Sequence, residues 1–329
     1  MSTTATTTIA HAVPPEAGPR VFLRRLRNGD EVAHVLTLIF AAGILLITSL
    51  LVYELWANSH LSRAKFGWMF FWTRTWDPIF DNFGAAPFIY GTLVTSVVSL
   101  LIAVPLGLAA AIFLAELAPR RVSDALAFLI DLLAAVPSVI YGLLGIFIVV
   151  PLMRTTLGPA LKGALGFLPF FSGPNYGVGF LTAGIILALM VVPFIISVSR
   201  EVLLTVPREQ REAALALGAT RWEATWQVVV PWARSGIMGS VFLALARALG
   251  ETMAVTMVIG NDPRISASLF APGYTIAAVI ANEFTEATGD LYLSALIELG
   301  LVLFLLTFIL NGLARLLIAA TERGGGRPA

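Results

Sequence analysis

Six stretches of this chain are long and apolar enough to cross a bilayer, at about Ala33 to Trp56, Phe88 to Leu117, Ala125 to Val150, Val178 to Val198, Ile237 to Ile259 and Leu291 to Ala319. A helix needs about 20 apolar residues to span the hydrocarbon core, where every backbone N–H and C=O must be satisfied within the segment. The expected fold class is therefore all-α: a polytopic membrane protein of six transmembrane helices. Composition agrees, with 58% hydrophobic and 12% charged residues, against roughly 25% charged in a soluble domain. The first span is roughly twice the length of a secretory h-region and no A-x-A site closes it, so it reads as a retained helix and not as a cleaved signal.

An even number of spans puts both termini on one side, and the basic residues say which. Segments on the amino-terminal side of the membrane carry Arg20, Arg24, Arg25, Arg27, Arg120, Arg121, Arg200, Arg208, Arg211, Arg221, Arg234, Arg315, Arg323 and Arg327. The opposite segments carry only Arg63, Lys65, Arg74, Arg154, Lys162 and Arg264. The positive-inside rule then predicts a multi-pass membrane protein with both termini cytoplasmic. The expected organisation is a disordered, basic cytoplasmic tail over 1–30, a first transmembrane helix and outer aromatic loop over 31–87, a membrane domain over 88–320 and a tail over 321–329. The outer loop is dense in rings, among them Phe66, Trp68, Phe70, Phe71, Trp72, Trp76, Phe80 and Phe83; an aromatic belt at the interface is the simpler reading, a ligand cage the other. The segment 151–177 is expected as an outer loop that packs back on the bundle. Pro105 and Pro193 inside spans suggest a bundle that forms a cavity.

Several chemistries are excluded. With no cysteine, disulfides and thiol chemistry are absent, and the three histidines His11, His34 and His60 are too scattered for a metal centre. A net charge of +1 offers no phosphate-neutralising excess for nucleic acid. Lys65 is followed by Phe66 and Lys162 by Gly163, so neither closes a P-loop, and ATP-driven work would need another chain.

The longest polar interruption on the arginine-rich side is 200–231. It reads as two short helices joined at Gly218: Pro207 and Glu209 suit a helix start, Gly218 a left-handed stop, Thr220 with Glu223 a capping box, and Pro231 an end. A DNA-binding helix-turn-helix has the same outline, but Glu209, Glu212 and Glu223 offset the nearby arginines. A solvated loop explains the polarity, though not the small residues Ala213, Ala214 and Ala216 beside Trp222 and Trp226, which suit docking into a partner.

Charge within a span is costly, about 2.5 to 3.5 kcal/mol per residue at the centre of the membrane. Arg247 and Glu251 lie near the middle of the fifth span, four residues apart and so expected on one helical face. They read either as a structural ion pair or as a path element in which the guanidinium fork meets an oxyanion and the carboxylate moderates its grip. Asp131 and Glu298 are further charges in apparent spans, ranked lower.

The run Glu212-Ala213-Ala214, Gly218, Val228, Val230-Pro231 resembles the EAA signature of ABC-importer permeases, with valines where Ile and Leu are common. FGAAPFIYGT (83–92), DLLAAVPSVIYG (131–142), GPNYGVGFLTAGII (173–186), ARALGETMAV (246–255) and ANEFTEA (281–287) together resemble the C-type permease subunits of phosphate-specific ABC importers over about residues 20–320. The resemblance implies a type I importer permease architecture and a heterodimer with a related permease. It also implies two copies of a cytoplasmic ATPase that carry ATP-Mg, an extracytoplasmic phosphate-binding protein, and contact with membrane lipid. No cofactor, metal site or nucleic-acid partner is expected of this chain itself. By the same resemblance Arg247 and Glu251 act in translocation, and Glu212, Ala213, Ala214, Gly218 and Pro231 couple to the ATPase. Importers of sulfate, molybdate or phosphonate share the general signature, and an ion-coupled secondary transporter is the rival of a different class, disfavoured by the missing inverted repeat.

Overall fold

The computed structural model describes residues 30–324, with side chains over 32–319. The expected tail over residues 1–29 and the last five residues lie outside the described residues. Of the described residues, those from Asp30 to Glu54 belong to one compact unit and those from Leu55 to a second. Six helices have the length and apolarity to cross a membrane, and the described residues contain no strand, only isolated bridges at Asp77–Asn82 and Gly260–Gly273.

In chain order the helices are α1 (Asp30–Asn58), α2 (His60–Phe66), α3 (Ala86–Ile112), α4 (Arg120–Ala134), α5 (Ser138–Leu144), α6 (Gly158–Leu165), α7 (Phe180–Leu204), α8 (Arg208–Ala216), α9 (Arg221–Ala224), α10 (Val230–Leu249), α11 (Met253–Ile259), α12 (Ile276–Glu283) and α13 (Asp290–Gly324). α7 is the centre of the second unit. The apolar window of α7 is 67% buried, and α3, α4, α10 and α11 all pack on it. Between helices in hydrocarbon there is little hydrophobic drive, so close approach at small residues does the work. Gly184 of α7 shows this: a Cβ there would stand 2.4 Å from Val98 Cγ1 of α3. A buried hydroxyl pair, Ser199 with Ser240 at 2.8 Å, adds a polar contact between α7 and α10.

Prolines shape the helices in one recurring way. Four π turns occur, at Phe113–Leu117, Gly145–Val149, Met153–Leu157 and Thr225–Val229. In each, the next residue donates its N–H five residues back: Ala118 to Phe113 O, Val150 to Gly145 O, Gly158 to Met153 O and Val230 to Thr225 O. Each of those donors precedes a proline, Pro119, Pro151, Pro159 or Pro231. Proline lacks the N–H and its ring collides with the carbonyl four residues back, so one wide turn lets the helix pass. At Pro119 the helix stops instead, with Ala118 extended at ψ 141°, as a residue before proline prefers.

This corrects two expected boundaries. The third span is not 125–150 but Ser138–Leu165, running through both of its π turns. The segment 120–134 is a separate amphipathic helix, α4, cut off at Pro137, whose ψ of 139° is extended. Much of the expected outer loop 151–177 is therefore helix. The fifth span is Arg221–Leu249, so Pro231 does not end a short helix: it sits in the first turn of α10, and α9 runs through its π turn into the membrane.

The aromatic outer loop divides. Trp68, Trp72 and Phe80 are 84%, 79% and 80% exposed, as an interfacial belt would be. Phe70 and Phe83 are fully buried and join Phe88 and Leu299 in a second core between α3, α12 and α13. Glu283 ties this core together, accepting 2.7 Å hydrogen bonds from Trp76 Nε1 and Tyr292 OH.

Candidate functional site

The polar 200–231 stretch is built from local signals. Pro207 caps α8 in an extended conformation, with Glu209 in the first turn. The helix ends where Gly218 N–H bonds Leu215 O at 3.0 Å and Ala219 N–H bonds Ala214 O at 3.1 Å. That paired pattern needs a left-handed residue, and Gly218 has φ +89°. The next helix starts at once through the capping box: Glu223 N–H donates to Thr220 Oγ1 at 3.3 Å and Thr220 N–H to Glu223 Oε2 at 2.8 Å. Trp222 and Trp226 meet edge to face, centroids 5.6 Å apart at 69°. Glu212, Ala213 and Gly218 are exposed, Ala214 is buried, and Leu217 projects from the turn 91% exposed. Pro231 is exposed but belongs to the transmembrane rod.

Arg211, one residue before Glu212, entered the sequence reading only as positive charge. Its guanidinium is gripped by Glu116, Nε lying 3.1 Å from each carboxylate oxygen and Nη2 2.7 Å from Oε1. The partner is distant in the chain, so no local pattern announces it.

Arg247 and Glu251 do not share a helical face. α10 ends at Leu249, Gly250 leaves helical geometry at φ −95° and ψ 0°, and α11 begins at Met253. Among the described residues no ion pair joins the two. Arg247 lies exposed in the last turn of α10, where a cation offsets the negative end of the helix dipole. Glu251 lies past the break, and its Oε1 accepts the N–H of Ala254 in the first turn of α11 at 3.2 Å. The pair therefore lies at the end of the fifth span, which closes at Leu249, and not near its middle, and each charge sits at a helix end and not against the other. Such discontinuous helices leave backbone groups and charges where a translocated ion can meet them.

Three sequence motifs converge at this break. The 138–142 turn at the start of α5 meets α11, where a Cβ on Gly142 would stand 2.4 Å from Met257 Sδ. Tyr141 lies within electrostatic reach of Arg247 and donates its OH to Leu133 O at 2.8 Å. From the 173–186 motif, Gly179 N–H donates to Val258 O at 3.1 Å. Arg247 thus presents an exposed planar guanidinium at the end of α10, a bidentate donor suited to an oxyanion.

The other two carboxylates singled out in the sequence sit elsewhere, Asp131 on α4 outside the spans and Glu298 within the last span. Asp131 accepts from Ser197 Oγ at 2.6 Å, joining α4 to α7. Glu298, only 3% exposed, lies beside Arg63 and Trp56 along a cavity of about 310 Å³ at the start of α13. Between the fifth and last spans, burial pushes the Tyr274 phenol up to about 12, and its oxygen accepts from Asn282 Nδ2 at 3.0 Å.

The family described as binding-protein-dependent transport system inner membrane component matches residues 103–323. The chain is similar to the phosphate transport system permease protein PstC of Mesorhizobium japonicum, 46% identical over 308 residues that cover 92% of this chain and 94% of that protein. It is also similar to the probable phosphate transport system permease protein PstC of Methanocaldococcus jannaschii, at 39% identity with 87% and 92% covered. Among solved structures, it matches a bacterial alginate ABC transporter in complex with a pentasaccharide-bound periplasmic protein with a TM-score of 0.56 at 15% identity, covering 88% of this chain and 96% of that one. It matches an inward-facing MetNI methionine ABC transporter with a TM-score of 0.53 at 17% identity, covering 71% and 94%. At those identities the likeness is one of fold.

Proposed function

Because this chain belongs to the family of binding-protein-dependent transport system inner membrane components, we propose that it is the permease subunit of an ATP-driven importer of inorganic phosphate. Both termini and the 200–231 loop face the cytoplasm. A related permease completes the membrane pore, a pair of ATPase subunits carries ATP-Mg, and an extracytoplasmic phosphate-binding protein delivers the substrate. The exposed face of α8, with Glu212, Ala213 and the Gly218 turn, docks in the ATPase. Closure of the ATPase pair on ATP drives that loop, and the loop tilts the spans between inward- and outward-open arrangements. Pro231 contributes by the π turn it imposes, which makes α9 and the fifth span one rod.

The observation that carries the substrate side is Arg247, an exposed guanidinium in the last turn of the fifth span, where α10 gives way to α11. It meets the phosphate oxygens, and Glu251 holds the broken end of α11 open beside it. The test is Arg247→Gln in the assembled transporter, reconstituted with ATP. Uptake is expected to fall by at least about tenfold, the scale of one charge-assisted hydrogen bond lost, with assembly unchanged. Unimpaired uptake would remove Arg247 from the path. Competition by sulfate, molybdate or phosphonate at concentrations that match phosphate would reassign the substrate within the oxyanions, and uptake without ATP would reject the importer reading.

A further inference from the structure

The guanidinium of Arg211 joins three elements. Besides its bonds to Glu116, Nη2 donates to Leu203 O at 2.8 Å and Nη1 donates to Val206 O. Leu203 lies in the last turn of α7 and Val206 just beyond it, Glu116 in the π turn that ends the second span, and Arg211 on α8. The pair is well covered, with side chains 21% and 10% exposed. At that burial it is not a screened surface pair, and removing one partner strands the other's charge.

The placement matters because of how the chain runs. α8 is continuous with α7 on one side and, through the Gly218 turn, with the fifth span on the other. The second span has no such covalent route to α8. It packs along α7, and Glu116 at its end adds an ion pair to α8 itself. On α8 itself, Arg211 turns toward the bundle while its neighbours Glu212 and Ala213 are exposed. One short helix thus presents a docking face outward and a clasp inward.

We propose that Arg211 and Glu116 are positioning residues of the transport cycle: their clasp carries the displacement of α8 to the second span, so that α3 moves with α7. This rests on the reading of 200–231 as the coupling loop. α3 lies against both α7 and α10, so a second span left behind would hold the pore walls in their old register.

The chain has no cysteine, so introduced cysteines label cleanly. In the assembled transporter, spin labels at Leu101→Cys on α3 and Phe308→Cys on α13, both exposed positions, report the distance between second and last spans without any substrate. Wild type is expected to change that distance between the nucleotide-free and the ATP-vanadate-trapped states. Glu116→Gln and Arg211→Gln should lose most of the change while the ATPase stays bound and active, and phosphate moved per ATP should fall about tenfold, the upper range for a coupling contact. The exchanged pair E116R/R211E should recover much of both. Single variants with the wild-type distance change and stoichiometry would overturn the proposal, as would a wild-type second span that does not move or an exchanged pair as defective as the singles. Because the distance needs no substrate, a wild type that moves no phosphate would reject the importer reading and leave the clasp result standing.

Discussion

Gly218 separates backbone geometry from surface chemistry in the 200–231 loop, on the proposal that this loop couples to the ATPase. Its φ of +89° lies in the left-handed region, and a Cβ built there meets nothing within 4 Å. Substitution therefore costs backbone strain and no collision. Gly218→Ala should cost about 1–2 kcal/mol, enough to shift the turn's equilibrium by about 5- to 30-fold. Gly218→Asn should cost less, since asparagine tolerates that conformation. Gly218→Pro cannot comply: its ring holds φ near −65°, about 150° away, and it loses the N–H that bonds Leu215 O, for about 3 kcal/mol or more. The α8 end would then open and the angle between α8 and the fifth-span rod would change. In proteoliposomes holding the assembled transporter, ATP hydrolysis and phosphate uptake are measured together on equal amounts of intact complex. The asparagine variant should couple nearly as wild type, the alanine variant partly, and the proline variant should hydrolyse ATP with little uptake. Normal coupling in the proline variant would refute the reasoning. Equal damage from alanine and proline would also refute it, because it would mean that the docking surface rejects any side chain at this point.

Two further outcomes follow from packing and burial. Gly184→Ala would press a methyl group against Val98, and overpacking of this kind costs about 1–3 kcal/mol; the variant should melt at a lower temperature in detergent, and Val98→Ala in the same chain should restore more than half the loss, whereas an additive double variant would contradict the contact. Tyr274 keeps its proton up to about pH 12 when folded, against 10.0 for the ordinary phenol. Its contribution is whole below pH 10 and is lost as pH rises through 12, because the unfolded chain releases a proton that the folded chain retains. Stability measured against pH should show that decline, and Tyr274→Phe should flatten it.

The spans were legible because hydropathy is a local property, and so were the Gly218 stop and the Thr220–Glu223 box, which are set by residues within one turn. The boundaries that moved did so at prolines. Pro137 ends an amphipathic helix inside what looked like one apolar run, and Pro231, read as a terminator, is accommodated by a π turn. The Arg247–Glu251 pair stands out in the sequence as charge within an apolar run, but Gly250 ends the helix between them and the span closes at Leu249; a single glycine within such a run leaves the pattern unbroken. Contacts across the chain were invisible. Nothing near Glu116 points to Arg211, and nothing in the aromatic loop says that Trp76 will meet Glu283 while Trp68 and Trp72 stay outside.

The π turn at Thr225–Val229 also has a rotational meaning. One residue of an α-helix corresponds to about 100° about the axis, so the extra residue held in that turn offsets everything beyond it relative to Trp222 and the capping box. Excising a single residue there would leave composition and hydropathy almost untouched. It would nevertheless turn Ala244, Ala248 and Leu249, all buried against neighbouring helices, out of their contacts, and swing Arg247 through more than a quarter of a revolution. The compass bearing of the guanidinium is therefore written 16 residues upstream, at Pro231.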